Sequence, residues 1–205
     1  MTLELPPGVL AWVALTAGPL LAITCTAFTK ASVVLSALRV GLGAEQLLPW
    51  SAVFALSLAI TAVVMGPVAA ASLEVLDGAG GLAGLQQGPG SQLTQVLAPL
   101  QEFLGRHAEV SELDFFAELQ GVSVEHPLAL VPAFLVTELG EALQISLLIL
   151  VPFVLVDLVL AQVLVLMGLG GGQSQPLVGL PLKIALFLAV GGWDVIVRGL
   201  VEGYA

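Results

Sequence analysis

The stretch ALQISLLILVPFVLVDLVLAQVLVLM, Ala142–Met167, carries one charge, Asp157. A bilayer-spanning helix needs about 20 apolar residues, so the stretch reads as a membrane helix. Working outward, Leu158–Leu182 is free of charge, and Ile184–Trp193 is free again before Asp194. Toward the N-terminus, Gln46–Leu73 and Leu5–Thr29 have no charge either. These runs predict an all-α integral membrane protein with four long hydrophobic helices in hairpins, near 8–27, 47–70, 142–167 and 181–203.

Composition agrees. Of 205 residues, 58% are hydrophobic and 10% charged, against about 25% charged in soluble domains. A soluble chain of this size could not hide that much apolar surface. A net charge of −10 leaves no basic footprint for nucleic acid. Cys25 is the one cysteine, so no intrachain disulfide forms, and its apolar setting suits a buried small hydrophobe. The opening MTLELPPG has no basic residue before Lys30, so 1–27 is expected to be retained rather than cleaved as a signal.

Three parts follow: 1–73, an N-terminal hydrophobic pair with a basic loop; 74–136, an acidic helical insertion; and 137–205, a C-terminal hydrophobic pair. The insertion holds eight acids and one base, Arg106. Its Asp77–Ser91 segment contains six glycines and reads as a linker. Leu93, Val96, Leu97, Leu100 and Leu104 recur at helical spacing, and Ser111-Glu112-Leu113-Asp114 resembles a capping signal. Lys30 and Arg39 in loop one and Lys183 after loop three predict cytoplasmic loops, with 74–136 and both termini in the periplasm.

Enzymatic motifs are missing. There is no HExxH, CxxC, Walker lysine or nucleophile elbow, so no catalytic, metal or cofactor residue is expected. His107 and His126, 19 residues apart, read as surface residues. Gly168 and Gly172 fit GxxxG, a weak signal in a chain with 23 glycines.

Polar residues in the apolar half are the remaining candidates, because an ionisable group in a membrane is costly and points to function. Asp157 has apolar neighbours on every side and is expected to find a partner on another helix. On a continuous last helix, Lys183 and Asp194 fall within about 20° of each other and about 16 Å apart, and Arg198 continues that face as an i,i+4 partner of Asp194. Glu138 and Gln144 are further polar candidates beside the third run.

At these residues the chain resembles the SctR/FliP family, core export-apparatus proteins of type III secretion injectisomes and flagella. Phe28-Thr29-Lys30 through Arg39 is similar to that family's FTKxxVVLSxLR. Met65-Gly66-Pro67-Val68, Leu130-Val131-Pro132-Ala133-Phe134, Thr137-Glu138-Leu139, Pro152-Phe153…Asp157-Leu158, Leu180-Pro181-Leu182-Lys183 and Gly192-Trp193 resemble later blocks, in the family's order. The resemblance implies a non-enzymatic inner-membrane subunit. It implies five copies that join SctS- and SctT-type membrane proteins and other basal-body components. That complex rises toward the periplasm as an entry portal for unfolded secreted polypeptides, so the four hydrophobic segments need not all be literal membrane spans. The missing N-terminal signal and short length favour the injectisome branch.

The resemblance also exposes departures. The family's methionine-rich gasket would follow Met167-Gly168, yet the run here is Leu169-Gly170-Gly171-Gly172-Gln173. Its lysine after S-E-L is Gly140 here, followed by Glu141, and the acid of its D-G-W is Gly191, with Asp194 one turn on. The alternatives are a flagellar-branch protein, a structural scaffold whose pore comes from partners, and a small ion or solute transporter using Asp157 and Lys183.

Overall fold

Gly191 adopts φ +64, a left-handed conformation that an L side chain resists, and the last apolar run breaks there. The computed structural model describes residues 16, 18–78, 81, 89–169 and 174–204, and among these it contains helices and no strand. In chain order the helices are α1 (Phe28–Leu42), α2 (Trp50–Gly78), α3 (Pro89–His107), α4 (Val110–Gln120), α5 (Pro127–Leu166), α6 (Ser174–Ala189) and α7 (Gly192–Glu202). A short helical piece, Gly18–Thr24, precedes α1.

The all-helical class holds, but four long hydrophobic helices do not. Among the described residues, α2 and α5 alone are long and apolar enough to cross a membrane as single helices. The number rises to four only if Gly18–Thr24 with α1, and α6 with α7, each count as one bent span. The bend between α6 and α7 is 60°, so Lys183 and Asp194 do not share one helical face as a continuous 181–203 helix would require. Residues 8–15 and 17 of the first expected helix, 8–27, lie outside the described residues.

Two further differences have physical causes. Loop one is largely helix α1, because Ala31, Val34, Leu35, Leu38 and Leu42 recur at helical spacing and are buried. The charges of Lys30 and Arg39 mask that pattern in the sequence. The third run begins at Pro127 rather than near 142, and α5 is 40 residues long. Glu138 and Glu141 interrupt the apolar run without interrupting the helix; straight-chain residues such as glutamate suit a helix interior.

Two compact units result. The first comprises 1–29 and 65–138, the second 30–64 and 139–205; α2 and α5 contribute to both. In the first unit, Phe103 of α3 packs on Phe134 of α5 with ring centroids 5.7 Å apart. The Glu109 N–H, just before α4, donates to Thr137 Oγ1 of α5 at 2.9 Å. Helix α4 is capped by Glu109 without a side-chain hydrogen bond, so the expected Ser111 signal does not open it. His107 Nδ1 donates to Phe103 O at 2.8 Å, and its ring lies tilted against the Phe103 ring with centroids 4.4 Å apart.

In the second unit, the core joins Val34, Leu35 and Leu38 of α1, Val53 and Ile60 of α2, Ala142 and Phe153 of α5, Phe187 of α6, and Ile196 and Leu200 of α7. Gly41 lets the end of α1 lie close on α5: a Cβ there would stand 2.8 Å from Phe153 Cδ2 and 2.9 Å from Leu150 Cδ2.

Candidate functional site

The second unit holds two ammonium groups away from solvent, each met by a carboxylate on α5. Lys30 Nζ lies 2.6 Å from Glu141 Oε2, with side chains 3% and 51% exposed. Tyr204 covers the same ammonium, its ring centroid 4.3 Å away. Lys183 Nζ lies 2.6 Å from Asp157 Oδ2, with side chains 9% and 39% exposed. It also donates to the Gly41 carbonyl at 3.1 Å.

Local sequence explains these positions. Lys30 follows the aromatic start of α1 and points into the core with Ala31 and Val34. Asp157 lies one turn beyond Phe153 on α5, and Gly179 lies one turn before Lys183 on α6. A Cβ at Gly179 would stand 3.4 Å from Leu160 Cδ2 and 3.6 Å from Asp157 Oδ1, so the small residue brings α6 near the aspartate. A buried ammonium is costly unless paired and hydrogen-bonded, and both lysines meet that condition.

The other candidates fall elsewhere. Arg39 is half-buried and organises the turn after α1: Nε donates to Leu48 O at 2.7 Å, Nη2 donates to Glu45 O at 3.2 Å, and the guanidinium lies over the Trp50 ring. Both bases of the supposed cytoplasmic loop are thus engaged within the fold. Asp194 and Arg198 pair at 2.7 Å in the open, with side chains 66% and 68% exposed. Gln144 is exposed and Glu138 is buried.

Helix α5 ends at Leu166, and Gly168 in the turn beyond it has φ +74. Met167 and Leu169 on either side are exposed. Gly170, Gly171 and Gly172, also expected in the gasket, lie outside the described residues.

Glu141 and Tyr204 are functional candidates that the sequence reading did not select. Glu141 appeared only as a departure after Gly140, and no local signal links either residue to Lys30. A third feature is an aliphatic groove of about 370 Å³ between α5 and α6, lined by Leu155, Val156, Val159, Leu160, Val163 and Leu182. Among the described residues no three His, Cys, Asp or Glu side chains form a metal-binding group.

The described residues are helical, and two of the helices are long and apolar enough to cross a membrane. The chain belongs to the FliP family, whose model matches residues 10–200. It is 32% identical over 197 residues to the "Virulence protein YscR" of Salmonella typhimurium, with 91% of each chain covered. It is 32% identical over 200 residues to the "Yop proteins translocation protein R" of Yersinia pestis, covering 93% of this chain and 92% of that one. The "Flagellar biosynthetic protein FliP" of Cereibacter sphaeroides is 35% identical over 203 residues, which are 93% of this chain and 64% of that protein. The family consists of secretion-apparatus structural proteins and not enzymes, and the resemblance drawn from the sequence blocks holds over most of the chain.

Proposed function

We propose that this chain is a core subunit of a type III protein export apparatus in the bacterial inner membrane. With further copies of itself, five in all, and with SctS- and SctT-type membrane proteins, it forms the entry portal for unfolded secreted polypeptides. The carrying observation is the family match over 10–200, joined to relatives named for virulence, Yop translocation and flagellar biosynthesis. The exposed aliphatic residues along α5, among them Leu143, Leu147, Leu148, Val154 and Leu158, support an element clothed by lipid and other chains.

In this reading the segment 74–136 faces the periplasm and the assembled complex extends to that side. Met167, Gly168 and Leu169, with Gly170, Gly171 and Gly172, line the narrow part of the path. Lys30, Arg39, Glu138, Gln144, Asp157, Lys183, Asp194 and Arg198 serve assembly rather than chemistry. The injectisome branch is preferred, on the virulence and Yop names of the relatives.

A tagged chain expressed with its neighbouring genes tests the reading. It should copurify with two small hydrophobic membrane proteins, and deletion should stop export of the system's substrates while leaving the remaining envelope intact. Loss of flagellar filaments alone would move the chain to the flagellar branch. The transporter alternative requires the purified chain to move an ion across a vesicle membrane in a manner abolished by Asp157→Asn.

A further inference from the structure

The last turn of a helix leaves carbonyls without intrahelical partners, and a buried one needs another donor. At the end of α1 three of the last four carbonyls, those of Arg39, Val40 and Gly41, have donors. The Gly43 N–H donates to Val40 O at 3.0 Å and the Ala44 N–H to Arg39 O at 3.3 Å, a pattern that Gly43 permits with φ +67. Gly41 is buried, and its carbonyl accepts from Lys183, which lies 142 residues along the chain. The ammonium is held in place by Asp157 at 2.6 Å. A Cβ at Gly43 would stand 3.9 Å from Lys183 Nζ, so the turn itself borders the charge.

We propose that Lys183 is a positioning residue that caps α1 through space, with Asp157 as the group that aims it. The end of α1 is then locked only while α5 and α6 are closed against each other: three helices distant in sequence share one ammonium. The glycine pair Gly41 and Gly43 serves the same joint. Gly41 admits the close approach to Phe153, and Gly43 turns the chain beside the lysine.

The end of α4 provides an internal control. It has the same carbonyl pattern, with the Gly121 N–H donating to Glu118 O at 3.2 Å and the Val122 N–H to Ala117 O at 3.1 Å. It lies in the other unit and makes none of the contacts given for Lys183.

Amide hydrogen exchange on the full chain in detergent micelles tests the joint independently of export. Lys183→Met should speed exchange at Gly43 and Ala44 by about tenfold, because a buried carbonyl loses a charged donor. Exchange at Gly121 and Val122 should stay unchanged. Lys183→Arg, which restores a cation, should recover most of the protection. Unchanged exchange at Gly43 and Ala44 in Lys183→Met, or an equal rise at both helix ends, overturns the proposal. If Lys183→Met does not accumulate, the double variant Asp157→Leu, Lys183→Met, which leaves no unpaired charge, decides. The rise confined to Gly43 and Ala44 should persist in it, and wild-type exchange there overturns the cap.

Discussion

Lys30 and Glu141 meet at 2.6 Å although 111 residues separate them in the chain. The lysine side chain is almost wholly enclosed, whereas half of the glutamate side chain stays accessible. Removal of the acid therefore takes one carboxylate away from an enclosed ammonium.

Glu141→Ala should lower stability by about 1–3 kcal/mol, less than the 3–5 kcal/mol typical of a fully buried pair, because Glu141 is half exposed. Tyr204→Leu should cost less, about 0.5–1 kcal/mol, the scale of a ring's attraction for a cation. Thermal unfolding in micelles checks both, and equal losses would contradict this ranking.

Gly192 admits no side chain in the present packing. A Cβ would lie 2.2 Å from Phe187 Cδ2 and Cε2, and Phe187 is itself buried and edge-on to Trp193. Gly192→Ala should destabilise by about 1–3 kcal/mol. A second substitution, Phe187→Leu, should return part of that loss, and a double-mutant cycle measures the coupling.

Ser146 on α5 is buried, and among the described residues its hydroxyl has no hydrogen-bond partner. Ser146→Ala removes an unsatisfied group at little cost in volume. The melting temperature should stay the same or rise, corresponding to about 0–2 kcal/mol. A clear fall would assign the hydroxyl an acceptor in the assembled complex or its lipid.

Asp194→Ala should change stability by no more than about 1 kcal/mol, because the Asp194–Arg198 pair is open to solvent. Moving the acid to 191 should not improve on that. Gly191 sits before α7 at φ +64, where an aspartate brings about 1–2 kcal/mol of strain. Quantitative export assays with both variants made in equal amounts check the pair.

If residues 167–172 form the seal, Leu169→Gly should raise small-ion leakage through the assembled complex in a planar bilayer. Methionines at 170–172 should lower it, since long flexible apolar chains can close a ring that glycines cannot. Unaltered leakage in both, with assembly intact, places the seal elsewhere.

Local signals made much of this legible. The apolar runs locate α2 and the second half of α5, and the isolation of Asp157 announces the need for a counter-ion. The identity of that counter-ion was beyond reach, because Lys183 is brought to Asp157 by tertiary packing and the sequence shows only two distant charges. Helix α1 was hidden for a related reason: Lys30 and Arg39 look like loop charges until Glu141, Tyr204 and the Leu48 carbonyl are seen beside them. The break at 190–191 lay in plain view as Val190-Gly191-Gly192, yet glycine pairs also occur inside membrane helices, and only the sign of φ distinguishes the two cases.

Helix α5 is 40 residues long, about 60 Å at 1.5 Å per residue, while the hydrocarbon layer is about 30 Å thick. Exposed aliphatic side chains occur from Leu128 to Leu166, over nearly its whole length. Neither medium suits such a rod: water rejects it, and a bilayer is too thin to cover it upright. An unaccompanied subunit would therefore be an orphan, prone to clumping and to removal by envelope proteases. Its cellular lifetime should depend on the supply of whatever covers this face, more than on the folding strength of the polypeptide itself.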